Sequence, residues 1–434
     1  MSSYSIVGQK ALKGELTTNT SKNAAVVLLN AALLNRGITT LYSVPRIEEV
    51  NRIIEVLTSI GVEITWKNKA DLVIKPPKNL SLKNINYQSA VKTRSVVFLL
   101  AVMLGRQKSF KVPQPGGCNL GARTVKPHLF ALEKFGVKIK TSSKYYEVNS
   151  STLRAGGDVV LYESGDTVTE NAIIAAAQTP GITKIKFASA NYQVQDLCFF
   201  LQLLGIKISG IGTTEITVEG KKQINKNVSY HLSEDPIESM LFVAIAATTK
   251  STLVIKRCPI DFLELELLKL EKMGFKYKIL KKYIAKNGKT KLVDIKTLPS
   301  NLVALEEKIY GRPFPGLNID NLPFFVPIAT QAKGRTMIFD WAYDNRAIYY
   351  VELNKLGASV ELADPHRAYV NGPTKLNGAE VICPPALRPS TIILVAMLAA
   401  KGKSLLRNVY SIERGYEDLC GRLSAVGADI KKID

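Results

Sequence analysis

The stretch Leu57-Thr58-Ser59-Ile60-Gly61-Val62-Glu63-Ile64-Thr65-Trp66 returns, respelled, five more times along a chain of 434 residues. Each time an apolar helix end meets a glycine, and the glycine opens a short alternating run. The glycines are Gly61, Gly136, Gly205, Gly274, Gly357 and Gly427, and the runs after them cover 62–66, 137–141, 206–210, 275–279, 358–362 and 428–432. A glycine at a helix C-terminus supplies the left-handed conformation that ends the helix, and a period of two marks a strand. The interval between copies is about 70 to 80 residues, so the chain reads as six copies of one α/β unit.

Each unit carries a second helix, at 21–34, 91–104, 168–178, 236–249, 320–331 and 388–400. These helices are apolar on nearly every face, which predicts burial all round. Their charged residues gather at the N-terminal ends: Lys22, Arg94, Glu170, Glu238, Asp320 and Arg388. Cations there oppose the helix dipole, so Lys22, Arg94 and Arg388 call for an anionic group beside them. Six units divide into three and three. The expected domains are 22–231 and, for the second, 1–21 with 232–434. The segment 4–16 reads as one strand of the second domain, supplying a strand that the last unit lacks.

Composition narrows the class. The hydrophobic fraction is 46% and the charged fraction 22%, ordinary for a globular protein. The first ten residues lack the basic and apolar regions of a signal peptide, and no apolar run is long enough to span a bilayer. Cys118, Cys198, Cys258, Cys383 and Cys420 are far apart, which predicts a reduced, cytoplasmic chain without a disulfide framework. Three scattered histidines argue against a histidine metal site, and no cofactor is expected. The net charge of +21 is unusual and points to anionic partners: nucleic acid, an acidic surface or small phosphorylated substrates. Part of that charge lies in 276–296, which reads as a hairpin around Asn287-Gly288 with its lysines in water.

The chemistry centres on Pro115-Gly116-Gly117-Cys118-Asn119-Leu120-Gly121-Ala122-Arg123. Three glycines and a proline exclude a helix interior or central strand. The loop sets a thiol near a cation, where thiolate and proton-donor chemistry become available. Four more motifs lie in order along the chain: Ser21-Lys22-Asn23-Ala24-Ala25, the Asp320 helix start after 314–319, Asp344-Asn345-Arg346, and Ile412-Glu413-Arg414-Gly415-Tyr416-Glu417.

Together these motifs resemble the enolpyruvyl transferase family, in the branch with a sugar-nucleotide acceptor. The resemblance spans nearly the whole chain. It implies an α/β fold of two inside-out domains, each of three βαβαββ units with buried helices, around a cleft that closes on substrate. It also implies transfer of the enolpyruvyl group of phosphoenolpyruvate to the 3-hydroxyl of UDP-N-acetylglucosamine, with release of phosphate. That reaction needs an acid for the methylene carbon, a base for the hydroxyl, and cations for a phosphate and a carboxylate.

Carried over by motif, Cys118 resembles the general acid and Asp320 the base. Lys22, Arg123 and Arg414 resemble the phosphate-binding cations. Arg346 and Arg388 resemble residues that grip the carboxylate or complete the site on closure. Asn23 resembles a ligand of the acceptor sugar. Arg94 and the run Arg123, Thr124, Val125, Lys126 and Pro127 align with the nucleotide-binding part, and Ser164 and Ala342 are further substrate-binding expectations. His128 also matches a family histidine and is expected to be structural. The expected assembly is a monomer or weak homo-oligomer, without membrane or specific nucleic-acid partners.

The acceptor half departs from the family. Its members usually carry an aspartate where Lys126 stands, an Arg-Glu pair at Ala190-Asn191, an arginine at Pro236, and a lysine-bearing phosphate loop where this chain has Leu161-Tyr162-Glu163-Ser164-Gly165. Two other readings therefore stay open. One is a paralogue using a different nucleotide or nucleotide-sugar acceptor. The other, suggested by charge alone, is a basic nucleic-acid-binding protein on an enzyme scaffold.

Overall fold

All six helix-ending glycines have positive φ, between 80° and 95°. In the computed structural model, which describes residues 2–116 and 124–433, each is followed by a strand: Glu63–Trp66, Lys138–Thr141, Lys207–Ser209, Lys276–Ile284, Ser359–Asp364 and Asp429–Ile433. A side chain at these glycines would be strained by the left-handed backbone. The helix before each one stops, and the chain turns into its sheet.

The described residues divide into two compact units, one of 20–116 and 124–233, the other of 2–19 and 234–433. In the first unit, the sheet of the first repeat runs Val228–His231, Thr39–Tyr42, Leu72–Lys75, Glu63–Trp66. Its parallel edge strand comes from the far end of the unit, with Val228 facing Thr39. The sheets of the next two repeats are Ser109–Pro113 with Tyr145–Asn149 and Lys138–Thr141, and the group Lys207–Ser209, Glu215–Gly220, Gly181–Lys186, Gly157–Val160.

The second unit repeats this plan with two strands from the N-terminus. The segment read as one strand is two. Ser3–Val7 lies antiparallel between Lys403–Arg407 and Asp429–Ile433, and Lys13–Thr17 lies parallel to Thr252–Pro259. Thus 4–16 completes the last sheet of the unit and its first as well.

The second helix of each repeat fills the interior. Helix Pro236–Thr249 is buried at every position but Thr249, and helix Leu387–Ala399 at every position but its last. These two pack on each other and on Phe325–Ala329. In the other unit, Leu99–Val102 packs against both Lys22–Ala31 and Asp166–Ala177. Helices lie inside and sheets outside. Each large apolar side chain buried this way contributes roughly 1.5–3 kcal/mol.

Three of the expected helices are not continuous α-helix: 21–34 ends in a 3-10 turn at Ala32–Leu34, and two others are more broken. The stretch 91–104 is a 3-10 turn, Arg94–Phe98, running into one α-turn, Leu99–Val102. The stretch 320–331 is a 3-10 turn at Leu322–Phe324 and a short helix at Phe325–Ala329. There Pro323 and Pro327 lack the N–H that an unbroken ladder needs. The hairpin forms as read: Ala285 N donates to Thr290 O at 2.8 Å, and Gly288 has φ of 70°. Cys198, Cys258 and Cys383 are free and buried. Burial pushes the Cys258 thiol up to about 12 and that of Cys383 up to about 11, as befits small core hydrophobes. Among the described residues no helix is long and apolar enough to cross a membrane.

Candidate active site

In the unit of 2–19 and 234–433, Asp320 stands between two buried arginines. Arg388 enters as the second residue of helix Leu387–Ala399, and its Nη2 lies 3.2 Å from Asp320 Oδ2. Its Nη1 donates to the hydroxyl of Tyr416 at 2.6 Å. On the other side, Arg346 Nη1 lies 3.6 Å from Asp320 Oδ1. The cation at the N-terminus of helix Leu387–Ala399 thus has its counter-charge in Asp320, with Asp235 adding to the field.

Arg346 is 1% exposed, and most of its fork is already engaged. Nε and Nη2 donate to the two carboxylate oxygens of Asp340 at 2.6 and 2.8 Å, and Nη2 also reaches Ile319 O at 2.6 Å. The Tyr350 hydroxyl donates to the same Asp340. The Arg346 guanidinium lies over the Tyr343 ring, 4.2 Å from its centroid. Burial alone would lower Arg346, but the Asp340 carboxylate overrides it and the net shift is upward. For Arg388 burial likewise works downward, and Tyr416 and Asp320 reverse it. Both arginines stay charged, and their directions are fixed by bonds rather than by solvent.

Arg414 is half-buried at the C-terminal end of the short helix Tyr410–Glu413, and its guanidinium has no carboxylate partner among the described residues. Ala342 is half-buried beside Trp341, whose indole N–H donates to Gly311 O at 2.6 Å.

In the unit of 20–116 and 124–233, Lys22 is the first residue of helix Lys22–Ala31, where Ser21 caps the helix by accepting from Ala24 N. Next to it Asn23 donates from Nδ2 to the Tyr192 hydroxyl at 3.0 Å. Arg94 begins its 3-10 turn behind the Thr93 cap and donates to Thr124 O at 3.3 Å. Thr124 Oγ1 accepts from Lys126 N at 3.1 Å. Val125 and Pro127 are buried, whereas Lys126 is exposed and has no carboxylate partner among the described residues. His128 is 2% exposed, with Nδ1 2.8 Å from Asn171 Nδ2.

The departure at Ala190-Asn191 sits in a bonded group around Asp166. Asp166, the first residue of helix Asp166–Ala177, accepts from Ser189 Oγ at 2.5 Å and from Asn191 Nδ2 at 3.0 Å. Asn191 also caps helix Tyr192–Leu203 by accepting from Tyr192 N, and Ala190 O accepts from Gln195. Ser164 Oγ lies 3.4 Å from Ala188 O on the same side of the unit. An acid therefore holds the helix start where the family pattern has basic residues nearby. Cys118 and Arg123 lie outside the described residues.

With this geometry, similarity to known proteins is decisive about the family. A model of the EPSP synthase family (3-phosphoshikimate 1-carboxyvinyltransferase) matches residues 6–423. The chain belongs to this family. Among its relatives is a UDP-N-acetylglucosamine 1-carboxyvinyltransferase of Bradyrhizobium diazoefficiens, 32% identical over 99% of this chain and 98% of its own length. The Treponema denticola enzyme of the same name is 32% identical over 99% of both. Among solved structures, the enolpyruvyl transferase NikO from Streptomyces tendae covers 99% of the chain with a TM-score of 0.83 at 20% identity. An EPSP synthase from Acinetobacter baumannii covers all of it with a TM-score of 0.77 at 16% identity. The fold is that of the enolpyruvyl transferases, and this protein is a transferase of that family.

Sequence reading passed over several residues that bond to the candidate site. Asp340 is six residues before Arg346 and closes the strand Ala332–Phe339, and a lone acid at a strand end was its available signal. Tyr416 lay inside a quoted motif without a role. Glu266, which bonds Asn318 and Asn321, had no sequence signal, because 52 and 55 residues separate the partners.

Proposed function

We propose that this enolpyruvyl transferase moves the enolpyruvyl group of phosphoenolpyruvate to the 3-hydroxyl of UDP-N-acetylglucosamine and releases phosphate, the first committed step of peptidoglycan precursor synthesis. The observation that carries the reading is the full-length match to relatives named for that activity. The chain also retains the family's acid, base and cations at their motif positions.

In this reading Asp320 takes the proton of the acceptor hydroxyl as its oxygen attacks C2 of phosphoenolpyruvate. Cys118 delivers a proton to C3. Lys22, Arg123 and Arg414 hold the phosphate, and Arg346 and Arg388 face the carboxylate. The C2–O bond to phosphate then breaks, and C3 loses a proton to restore the double bond. Asn23 holds the sugar, and Arg94, Thr124, Val125, Lys126, Pro127, Ser164 and Ala342 contribute to binding the acceptor. Burial matters here because arginines fixed by Asp340 and Tyr416 need little rearrangement when charge develops. Such a chain works in the cytoplasm, as a monomer or weak homo-oligomer.

One observation favours a second reading. Ala190-Asn191 stands where the family pattern carries an Arg-Glu pair, and Asn191 donates to Asp166 there, which suits an acceptor with a different nucleotide part. Phosphate release from phosphoenolpyruvate, measured with UDP-N-acetylglucosamine and a panel of other nucleotides, separates the two. Turnover with UDP-N-acetylglucosamine supports the first. Turnover only with another nucleotide replaces it.

A further inference from the structure

Glu266 is the third residue of helix Glu264–Lys272 and belongs to none of the sequence motifs. Its neighbours Leu267 and Leu270 pack into the core, and Glu266 is buried with them at 2% exposure. A carboxyl there is costly relative to an apolar side chain unless its bonds compensate. Those bonds go to one short turn. Oε1 accepts from Asn318 N at 3.1 Å and from Asn321 Nδ2 at 2.8 Å. Asn318 in turn accepts from Asp320 N through its Oδ1, at 2.8 Å. Its carbonyl accepts from Asn321 N at 2.9 Å and Leu322 N at 3.1 Å. Asp320 is thereby bracketed by two asparagines that share a single carboxylate oxygen.

We propose that Glu266 is a positioning residue for the reaction, fixing the turn that carries Asp320 and so setting where the acceptor base stands. The arginines constrain the Asp320 carboxylate from its far end, whereas Glu266 constrains the backbone from which the side chain springs. A misplacement of about 1 Å at a reacting group costs about 100-fold in rate. A leucine at 266 would fill the space but leave the Asn318 N–H and the Asn321 amide without their acceptor. A glutamine keeps an oxygen for both. The proposal rests on Asp320 acting as the base.

The test is steady-state kinetics of Glu266→Leu, Glu266→Gln and Asn318→Ala with phosphoenolpyruvate and UDP-N-acetylglucosamine, with the folded fraction measured by circular dichroism. The expected result is a loss of about 10- to 100-fold in kcat for Glu266→Leu and for Asn318→Ala, with little change in KM for phosphoenolpyruvate. Glutamine should restore most of the rate. The double variant Glu266→Leu/Asn318→Ala should lose no more than the worse single variant, because both act through one turn. A merely structural role would lower the melting temperature and leave the kcat of the folded protein native. Native kcat in folded Glu266→Leu, or in Asn318→Ala should the former not fold, overturns the proposal. So do losses that multiply in the double variant. Native turnover in Asp320→Asn instead removes the base assignment itself, an outcome separable from the others.

Discussion

Asp320 Oδ2 accepts from Nη2 of Arg388 at 3.2 Å, while the other arm of the same guanidinium is held by Tyr416 at 2.6 Å. Tyr416 therefore aims Arg388, and Arg388 orients Asp320. Lysine cannot reproduce this fork, since it offers one point charge to two partners. Arg388→Lys should lose about 100-fold in kcat/KM, and Asp320→Asn between about 100- and 10,000-fold. Tyr416→Phe leaves the charge in place and removes only its guide, so its loss should be about tenfold. Steady-state phosphate release checks all three. A Tyr416→Phe effect as large as that of Arg388→Lys would contradict this order.

Arg346 and Asp340 form a buried pair, 1% and 0% exposed at their side chains. Removing one partner of such a pair strands a charge, at about 3–5 kcal/mol, whereas removing both is far cheaper. Arg346→Met should lower unfolding stability by about that amount, and Arg346→Met/Asp340→Asn should recover much of it. Urea unfolding reports the difference. Both variants should remain inactive, because the double variant also lacks the cation beside Asp320.

The repeat was legible because its signals are local. A glycine after a helix and an alternating run behind it depend on neighbours within ten residues, and all six places hold in the structure. Burial of the central helices was legible for the same reason, since their apolar character runs all round. What escaped depends on distant partners. Nothing in 4–16 tells one strand from two serving different sheets, because the partners lie about 240 and 400 residues on. Pro323 and Pro327 were visible, and their breaking of the helix at 320–331 follows from proline's missing N–H. Asp340 and Glu266 gained their meaning from the Arg346 and Asn318 that folding brings to them. Motifs name the candidate site residues, and tertiary structure names those that hold them.

Glu170 is wholly buried in helix Asp166–Ala177, and burial, with the nearby Asp166, holds its carboxyl well above the usual range. The native chain therefore keeps a proton that the unfolded chain releases near pH 4.3. Native protein then binds more protons than unfolded, and stability falls as pH rises from that value towards the raised one. Glu170→Gln removes the titration. Its melting temperature should match that of the wild type near pH 4, and exceed it at pH 8. Parallel melting curves across that range would show that Glu170 does not titrate on unfolding.

Cys118 follows Gly116-Gly117, and the proposed function makes it the acid. Cys118→Ser should bind substrates but lose most turnover at pH 7. The thiol should be alkylated by the epoxide fosfomycin. Cys118→Asp should keep activity and resist, because a carboxylic acid donates a proton yet attacks an epoxide poorly. Mass spectrometry after fosfomycin treatment reads the adduct, and labelling at another cysteine would move the nucleophile elsewhere.

Lys126 begins helix Lys126–Glu133, a place where the dipole disfavours a cation. It is exposed and has no carboxylate partner among the described residues. A cation so placed is stabilised by an anion arriving with the substrate, and the phosphates and carbonyls of a nucleotide sugar offer one. The family's aspartate would accept base N–H groups instead, so Lys126 exchanges an acceptor for a donor. A charged hydrogen bond contributes roughly 1.5–3 kcal/mol, or about ten- to a hundredfold in affinity. Calorimetric titration with UDP-N-acetylglucosamine should show binding to the wild type and weakening of that order in Lys126→Asp. The loss should shrink at high salt, as a contact with phosphate demands. Tighter binding by Lys126→Asp would mean that the lysine opposes this acceptor. If neither protein binds UDP-N-acetylglucosamine while another nucleotide supports phosphate release, the Asp166 and Asn191 group marks a site shaped for that nucleotide, and the acceptor assignment passes to it.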